Sequence, residues 1–173
     1  MDTPDATAAD LSHVVIRMAT LDDHDAIHRL YQTGRDEGMV YANDTGADID
    51  NLAAGYLADG AESGFWVAEV DGTIVGMIGL LKTGENAAEL RRLRVDPDHR
   101  RRGIGRRLLE QALLFCQQRD YLKVVLDVRI DGEPAIRLFE TFGFKHSRTR
   151  DLGGRTLLEF YLDLYKEADN DRG

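Results

Sequence analysis

The run from Ala87 to Val128 limits the fold of this chain more than any other segment. It begins as an alternating stretch that Pro97 ends, and passes through the loop Asp98-His99-Arg100-Arg101-Arg102-Gly103. It then enters a helix expected over 103–119 and leaves as an apolar strand expected over 122–128. On the helix, Ile104, Leu108, Leu109, Ala112, Leu113, Phe115 and Cys116 fall on one broad arc, with Arg106, Arg107, Glu110, Gln111, Gln117 and Gln118 opposite. A helix with one apolar arc must bury it against another layer, so strand, loop and helix form a crossover at the centre of a sheet. Within 87–95 the apolar residues sit at even positions (Ala88, Leu90) and then at odd ones (Leu93, Val95). Strict alternation cannot change parity, so a β-bulge is expected near Arg91 or Arg92. A bulge bends a strand and opens its pairing, which leaves backbone groups free for a ligand.

The remaining elements follow from the same rules. Val14 to Met18 alternates as a first strand, and Thr20 with Asp23 has capping-box spacing before a helix whose apolar face is Ala26, Ile27, Leu30 and Tyr31. A second helix is expected over 47–57, after a loop at 38–46. Strands at 65–70 and 73–82 flank Asp71-Gly72, a dipeptide suited to the positive φ angles of a tight hairpin turn. Glu133-Pro134 opens a last helix that Gly143 closes, and 144–148 pairs with 155–164 around Gly153-Gly154. The order β-α-α-β-β-β-α-β-α-β-β predicts an α+β fold with a mixed, mostly antiparallel central sheet flanked by helices. One domain is expected over 12–165, with disordered tails at 1–11 and 166–173.

Composition excludes several classes. The chain has 173 residues, 31% of them charged, and a net charge of −9, which argues against nucleic-acid binding. Nothing is long and apolar enough to span a bilayer, and the acidic, Ala-rich start has no secretion signal, so the expected location is cytoplasmic without a membrane partner. Cys116 is the single cysteine, which rules out an internal disulfide and a multi-cysteine metal site. Inside this acidic chain, arginines crowd between Arg91 and Arg107 and suggest an anion site.

The loop is where that anion site falls. A helix start offers unpaired amides and the positive end of the macrodipole, and glycines at 103 and 105 let phosphate oxygens approach the backbone. Arg100, Arg101, Arg102 and Arg106 add charge suited to a pyrophosphate. No third glycine completes a dinucleotide fingerprint, and no Gly-Lys-Ser/Thr makes a P-loop. Taken alone, the glycine pair does not separate a phosphate site from a turn with solvated arginines.

Together with its neighbours the loop is far more specific. The series strand, Arg100-x-x-Gly103-x-Gly105, helix resembles motif A of the GNAT superfamily of acyl-CoA-dependent N-acetyltransferases, and residues 134–144, ending in Gly143-Phe144, resemble its motif B. The element order agrees, so the resemblance covers residues 13–164. It implies a GNAT-like fold that transfers an acetyl group from acetyl-CoA to a primary amine by direct attack. It also implies that the 100–106 loop, Ile104 included, binds the coenzyme pyrophosphate. Backbone groups of Leu93, Arg94 and Val95 would pair with the pantetheine arm, and one amide would stabilise the oxyanion. Glu89 stands where several members keep a catalytic glutamate. Since a lysine-like amine has a pKa near ~10.4, a base is useful.

Two positions depart from the family. Phe139 replaces a Tyr that can protonate the leaving thiolate, and Gly132 replaces an Asn that helps hold the coenzyme. Tyr121 and Tyr161 are the substitute acids to consider. These changes support an alternative, an inactive acyl-CoA-binding sensor. The acceptor is expected near the first two helices and the 38–46 loop. Candidate acceptors are a polyamine, an amino acid or small amine, an aminoglycoside-type compound, or a protein N-terminus or lysine; the acidic surface leans towards a small cationic amine, and a homodimer is left open. No metal is expected: His24 and His28 lack a third ligand. His99, Cys116 and Trp66 read as loop or core residues.

Overall fold

A seven-strand sheet in the order β1-β2-β3-β4-β5-β7-β6 organises the computed structural model, which describes residues 11–41, 43–58 and 60–165. The strands are β1 Val14–Met18, β2 Gly64–Val70, β3 Thr73–Gly84, β4 Ala87–Val95, β5 Lys123–Arg129, β6 Lys145–Leu152 and β7 Arg155–Asp163. All neighbours are antiparallel except β4 and β5, which are parallel and joined through α3, Ile104–Gln118. The tails expected at 1–11 and 166–173 lie outside the described residues except for Leu11, which packs on the core and accepts a hydrogen bond from Arg107.

Local chemistry places each turn where it was expected. Asp71 and Gly72 take φ of +49° and +80° between β2 and β3. Helix α1, His24–Asp36, follows a 3-10 turn at Leu21–Asp23, where the Asp23 carboxylate accepts the Thr20 amide at 2.8 Å. The second helix is split. Helix α2 covers only Ala47–Asp50, Asn51 leaves helical geometry (φ −121°, ψ +67°), and a π-type turn follows at Ala53–Leu57. Gly55 lets the two pieces approach closely, since a Cβ there would stand 3.2 Å from the Asp48 carbonyl oxygen.

Two cores lie on opposite faces of the sheet. Helix α3 buries Leu108, Leu109, Ala112 and Cys116 completely on one face, beside Phe139 of α4, Glu133–Thr141. On the other face α1 and α2 cover β2 and β3, with Ile27, Ile49, Tyr56, Phe65 and Met77 as the filling. Full burial of each such side chain contributes about 1.5–3 kcal/mol. No helix among the described residues is long and apolar enough to cross a membrane.

Candidate active site

The site starts from the bulge. Gly79 stands opposite Arg91 and Met77 opposite Arg94, so Arg92 and Leu93 together face Ile78 alone, and Arg92 takes a φ of +60°. The register irregularity read from the sequence near Arg91 or Arg92 thus falls at Arg92–Leu93. Bulges increase local twist. Strands β4 and β5 share only the pairs Ala87–Lys123, Ala88–Val124 and Glu89–Val125, although both strands continue well beyond them. They diverge after that point, and a cleft of about 330 Å³ opens between their C-terminal halves.

Beyond β4 the chain runs through a loop to the start of α3. Arg101 and Gly103 both have positive φ (+61° and +83°), and Gly103 is the N-cap residue of the helix. Among the described residues the amides of Gly103, Ile104, Gly105 and Arg106 donate to no acceptor. Alternating left-handed residues that aim successive amides outward, at a helix start, make an anion-binding concavity. The arginines of the loop differ in availability. Arg101 and Arg102 are exposed without an ion pair among the described residues. Arg100 is held bidentately by Glu37 at 2.8 and 2.9 Å and also donates to the Val95 carbonyl. Arg106 reaches Glu110 and lies over the Phe142 ring.

Strand parity gives the cleft two unlike walls. Leu93, Val128, Ala135 and Phe139 belong to the α3/α4 side and make it apolar. The other side carries Glu89, Arg91, Arg94, Asp127 and Arg129, together with Tyr41 from the 38–46 loop. Glu89 is held by Arg91 through two hydrogen bonds of 3.1 and 3.3 Å. Burial raises the Asp127 carboxyl above its usual range, against the pull of Arg150 and with the help of Glu159 and Glu89. Tyr41 is also pushed up by burial, which keeps its phenol protonated. Arg92 is clamped by Asp44 and Asp48 and lies over the Tyr31 ring, which ties α1 and α2 to the bulge.

The structure brings Glu89, Leu93 and Arg94 into the lining of the cleft, whereas Val95 and the 100–106 loop follow β4 in the chain and are not part of that lining. Tyr121 and Tyr161 do not line it: Tyr121 donates to the Glu62 carbonyl and Tyr161 stacks under Lys123. Phe139 sits on the cleft wall and packs edge-on with Phe144. A Cβ at Gly132 would stand 3.1 Å from the Arg129 carbonyl oxygen, so an Asn there needs a backbone shift. Burial pushes the Cys116 thiol up to about 12, consistent with a core residue. Trp66 is a core residue packed on Phe115, and the His24 and His28 rings stack on the surface of α1, 6.3 Å apart. Sequence reading missed Asp127, Tyr41 and Arg129. Asp127 carried one usable signal, a carboxylate inside an otherwise apolar strand run.

Comparison with known proteins agrees with this geometry. Human N-acetyltransferase 8 is 34% identical over 103 residues, which cover 57% of this chain and 45% of that protein. N-acetylaspartate synthetase from Xenopus tropicalis is 38% identical over 83 residues, covering 47% of this chain and 31% of that protein. The chain therefore spans about half the length, or less, of these curated relatives. The Salmonella typhimurium protein yncA, solved with its cofactor acetyl-CoA, matches with a TM-score of 0.77 over 93% of this chain and 99% of its own. At 22% identity that is a likeness of fold. The sequence pattern of the Acetyltransferase (GNAT) family matches residues 24–144, from α1 through the diverging strands, the loop and α3 to the end of α4. The chain belongs to the GNAT acetyltransferase family.

Proposed function

We propose that this chain is an N-acetyltransferase that moves the acetyl group of acetyl-CoA to a primary amine by direct attack, with no acyl-enzyme. The observation that carries this reading is the divergence of β4 from β5 beside a helix start with four unpartnered amides. Bound there, acetyl-CoA supplies an electrophilic thioester carbonyl and a thiolate leaving group, whose pKa near ~8.5 lets it depart without a dedicated acid.

The protein's part is positioning and proton handling. The amides of Gly103 to Arg106 hold the diphosphate, and Arg101 and Arg102 add charge. Arg100 stays on Glu37 and Val95 and braces the loop against α1. The open edge of β4 at Leu93, Arg94 and Val95 takes the extended pantetheine arm as an added strand, and one of its amides faces the carbonyl oxygen. The ammonium of the acceptor gives its proton to Glu89 or, through it or water, to Asp127. The nitrogen then bonds to the carbonyl carbon, the C–S bond breaks, the thiolate leaves with its electron pair, and the second proton of the nitrogen passes to that thiolate or to water.

Calorimetry with acetyl-CoA tests the loop. Gly103→Glu should lose at least ~100-fold in affinity, because a carboxylate is placed where an anion must sit. The fold should survive, with only the ~1 kcal/mol cost of a side chain at positive φ. Unchanged affinity would remove the phosphate-loop assignment. A thiol-release assay over an amine panel then tests transfer. Tight binding with no turnover on any amine would favour the sensor alternative.

A further inference from the structure

The wall of the cleft that carries the acid–base groups also carries guanidinium groups with no carboxylate partner. Three consecutive carbonyls of the 38–46 loop are each held by an arginine from a different strand. Arg129 of β5 donates to Gly38, Arg94 of β4 to Met39 at 2.9 Å, and Arg155 of β7 to Val40 at 3.4 Å. Arg129 also has Asp131, but among the described residues neither Arg94 nor Arg155 makes an ion pair. A carbonyl satisfies a donor without neutralising its charge, so Arg94 is a largely buried cation whose hydrogen-bond acceptor, the Met39 carbonyl, is neutral. Burial lowers the pKa of Arg94 and neighbouring Arg92 lowers it further; Glu37 acts the other way, but that carboxylate is already taken bidentately by Arg100.

The rest of the fold makes room for this cation instead of relieving it. A Cβ at Gly34 of α1 would lie 2.7 Å from Arg94 Nε, so only glycine leaves the guanidinium its place under the helix. Arg94 is opposite Met77, on the α1 face, whereas Leu93 and Val95 turn to the α3 face. Its side chain is thus on the far side of the sheet from the start of α3, and the coenzyme diphosphate is not its counterion.

We infer that the acceptor is an amine that also bears a carboxylate, of the amino-acid class, and that Arg94 receives the carboxylate while the amine points to Glu89 and Asp127. This rests on the proposed acetyl transfer and adds a carboxylate to the cationic amine that the net charge of the chain suggests. Arg129 and Arg155 supply positive potential around Arg94, and release of a loop carbonyl frees the donor that the carboxylate takes.

Matched pairs that differ only in the carboxylate test the inference: leucine against 3-methylbutylamine, phenylalanine against phenethylamine, lysine against cadaverine. Each amine is assayed by thiol release. The N-acetyl product of each, with coenzyme A present, is titrated by calorimetry so that binding is read without turnover. The carboxylate member of at least one pair should bind on the order of 10- to 100-fold tighter. That ratio should collapse towards one in Arg94→Met and shrink in Gly34→Ala, which displaces the guanidinium without removing it. Arg94→Lys should fall between. Equal or weaker binding of the carboxylate member in every pair overturns the inference. So does a ratio untouched by both Arg94→Met and Gly34→Ala when melting shows both folded, since that is what a purely structural arginine would give. Acetyl-CoA affinity, measured separately, reports on the transfer reading alone.

Discussion

Glu159 and Glu89 join burial in holding the Asp127 carboxyl above its ordinary range, while Arg150 pulls the other way. The folded protein therefore binds that proton more tightly than the unfolded chain. Stability must then fall as pH rises from the ordinary carboxylate value through the raised one, and the penalty is fully present above it. The side chain is still 38% exposed, so the penalty is small, and Asp127→Asn should raise Tm slightly at neutral pH and not at all in acid. Catalysis gives the sharper test. If Asp127 takes the acceptor's proton, kcat/KM falls on the acid side with an inflection above the usual carboxylate range. Asp127→Asn should then remove that limb and cost ~10²–10⁴-fold. Glu89→Gln should lower turnover mainly at lower pH, where fewer amines are already neutral. A pH–rate profile unaltered by either change would take that residue out of the proton path.

At the scale of elements, the bulge in β4 is held open by Arg92, whose guanidinium reaches Asp48 of α2 and Asp44 of the preceding loop. Tyr56 also donates to Asp48 at 2.6 Å, so the π-type turn joins the same network. Burial, the largest single influence, works to raise both carboxyls, but the bonds and charge of Arg92 together with the Gly46 amide on Asp44 and the Tyr56 hydroxyl on Asp48 outweigh it and leave both below their usual range. Depressed values mean that this network stabilises the fold above the ordinary carboxylate pKa and stops doing so as pH falls through the folded values. Arg92→Met would leave two largely buried carboxylates unpaired, at a cost of about 3–5 kcal/mol near neutral pH. It would also reverse the slope. Without the arginine, burial outweighs the bonds that remain, from the Gly46 amide to Asp44 and the Tyr56 hydroxyl to Asp48, so mild acid should recover stability in the mutant while costing it in the parent. Parallel acid dependence in both melting profiles would show that the network does not hold the bulge.

On the scale of the whole molecule, what could be read from the sequence was whatever repeats locally. The α3 arc, the Asp71-Gly72 hairpin and the parity change before Val95 each lie within about a dozen residues, and each stands where it was expected. Asp127, Tyr41, Arg129 and the cationic setting of Arg94 were not legible, because they meet only when β4, β5, β7 and the 38–46 loop converge across more than a hundred residues of chain. The split at Asn51 is local and was still missed, because position 51 carries neither glycine nor proline to mark a break. That division has a consequence for dynamics. Neighbouring β2 and β3 are paired along their length, whereas the ends of β4 and β5 give up pairing to make the cleft. The amides at the start of α3 likewise have no acceptor among the described residues, and segments with few internal hydrogen bonds open at low free-energy cost. Acetyl-CoA at 100 times its Kd should stabilise the fold by ~2.7 kcal/mol, which limits the slowing of globally governed exchange to about 100-fold. If the coenzyme pairs with the amides at 93–106 as proposed, these locally governed amides should gain protection first and at lower occupancy. Hydrogen exchange followed by mass spectrometry during an acetyl-CoA titration resolves the two. Protection that begins at 38–46 while 93–106 continues to exchange freely would place the coenzyme on the wrong wall of the cleft and overturn the assignment of the loop.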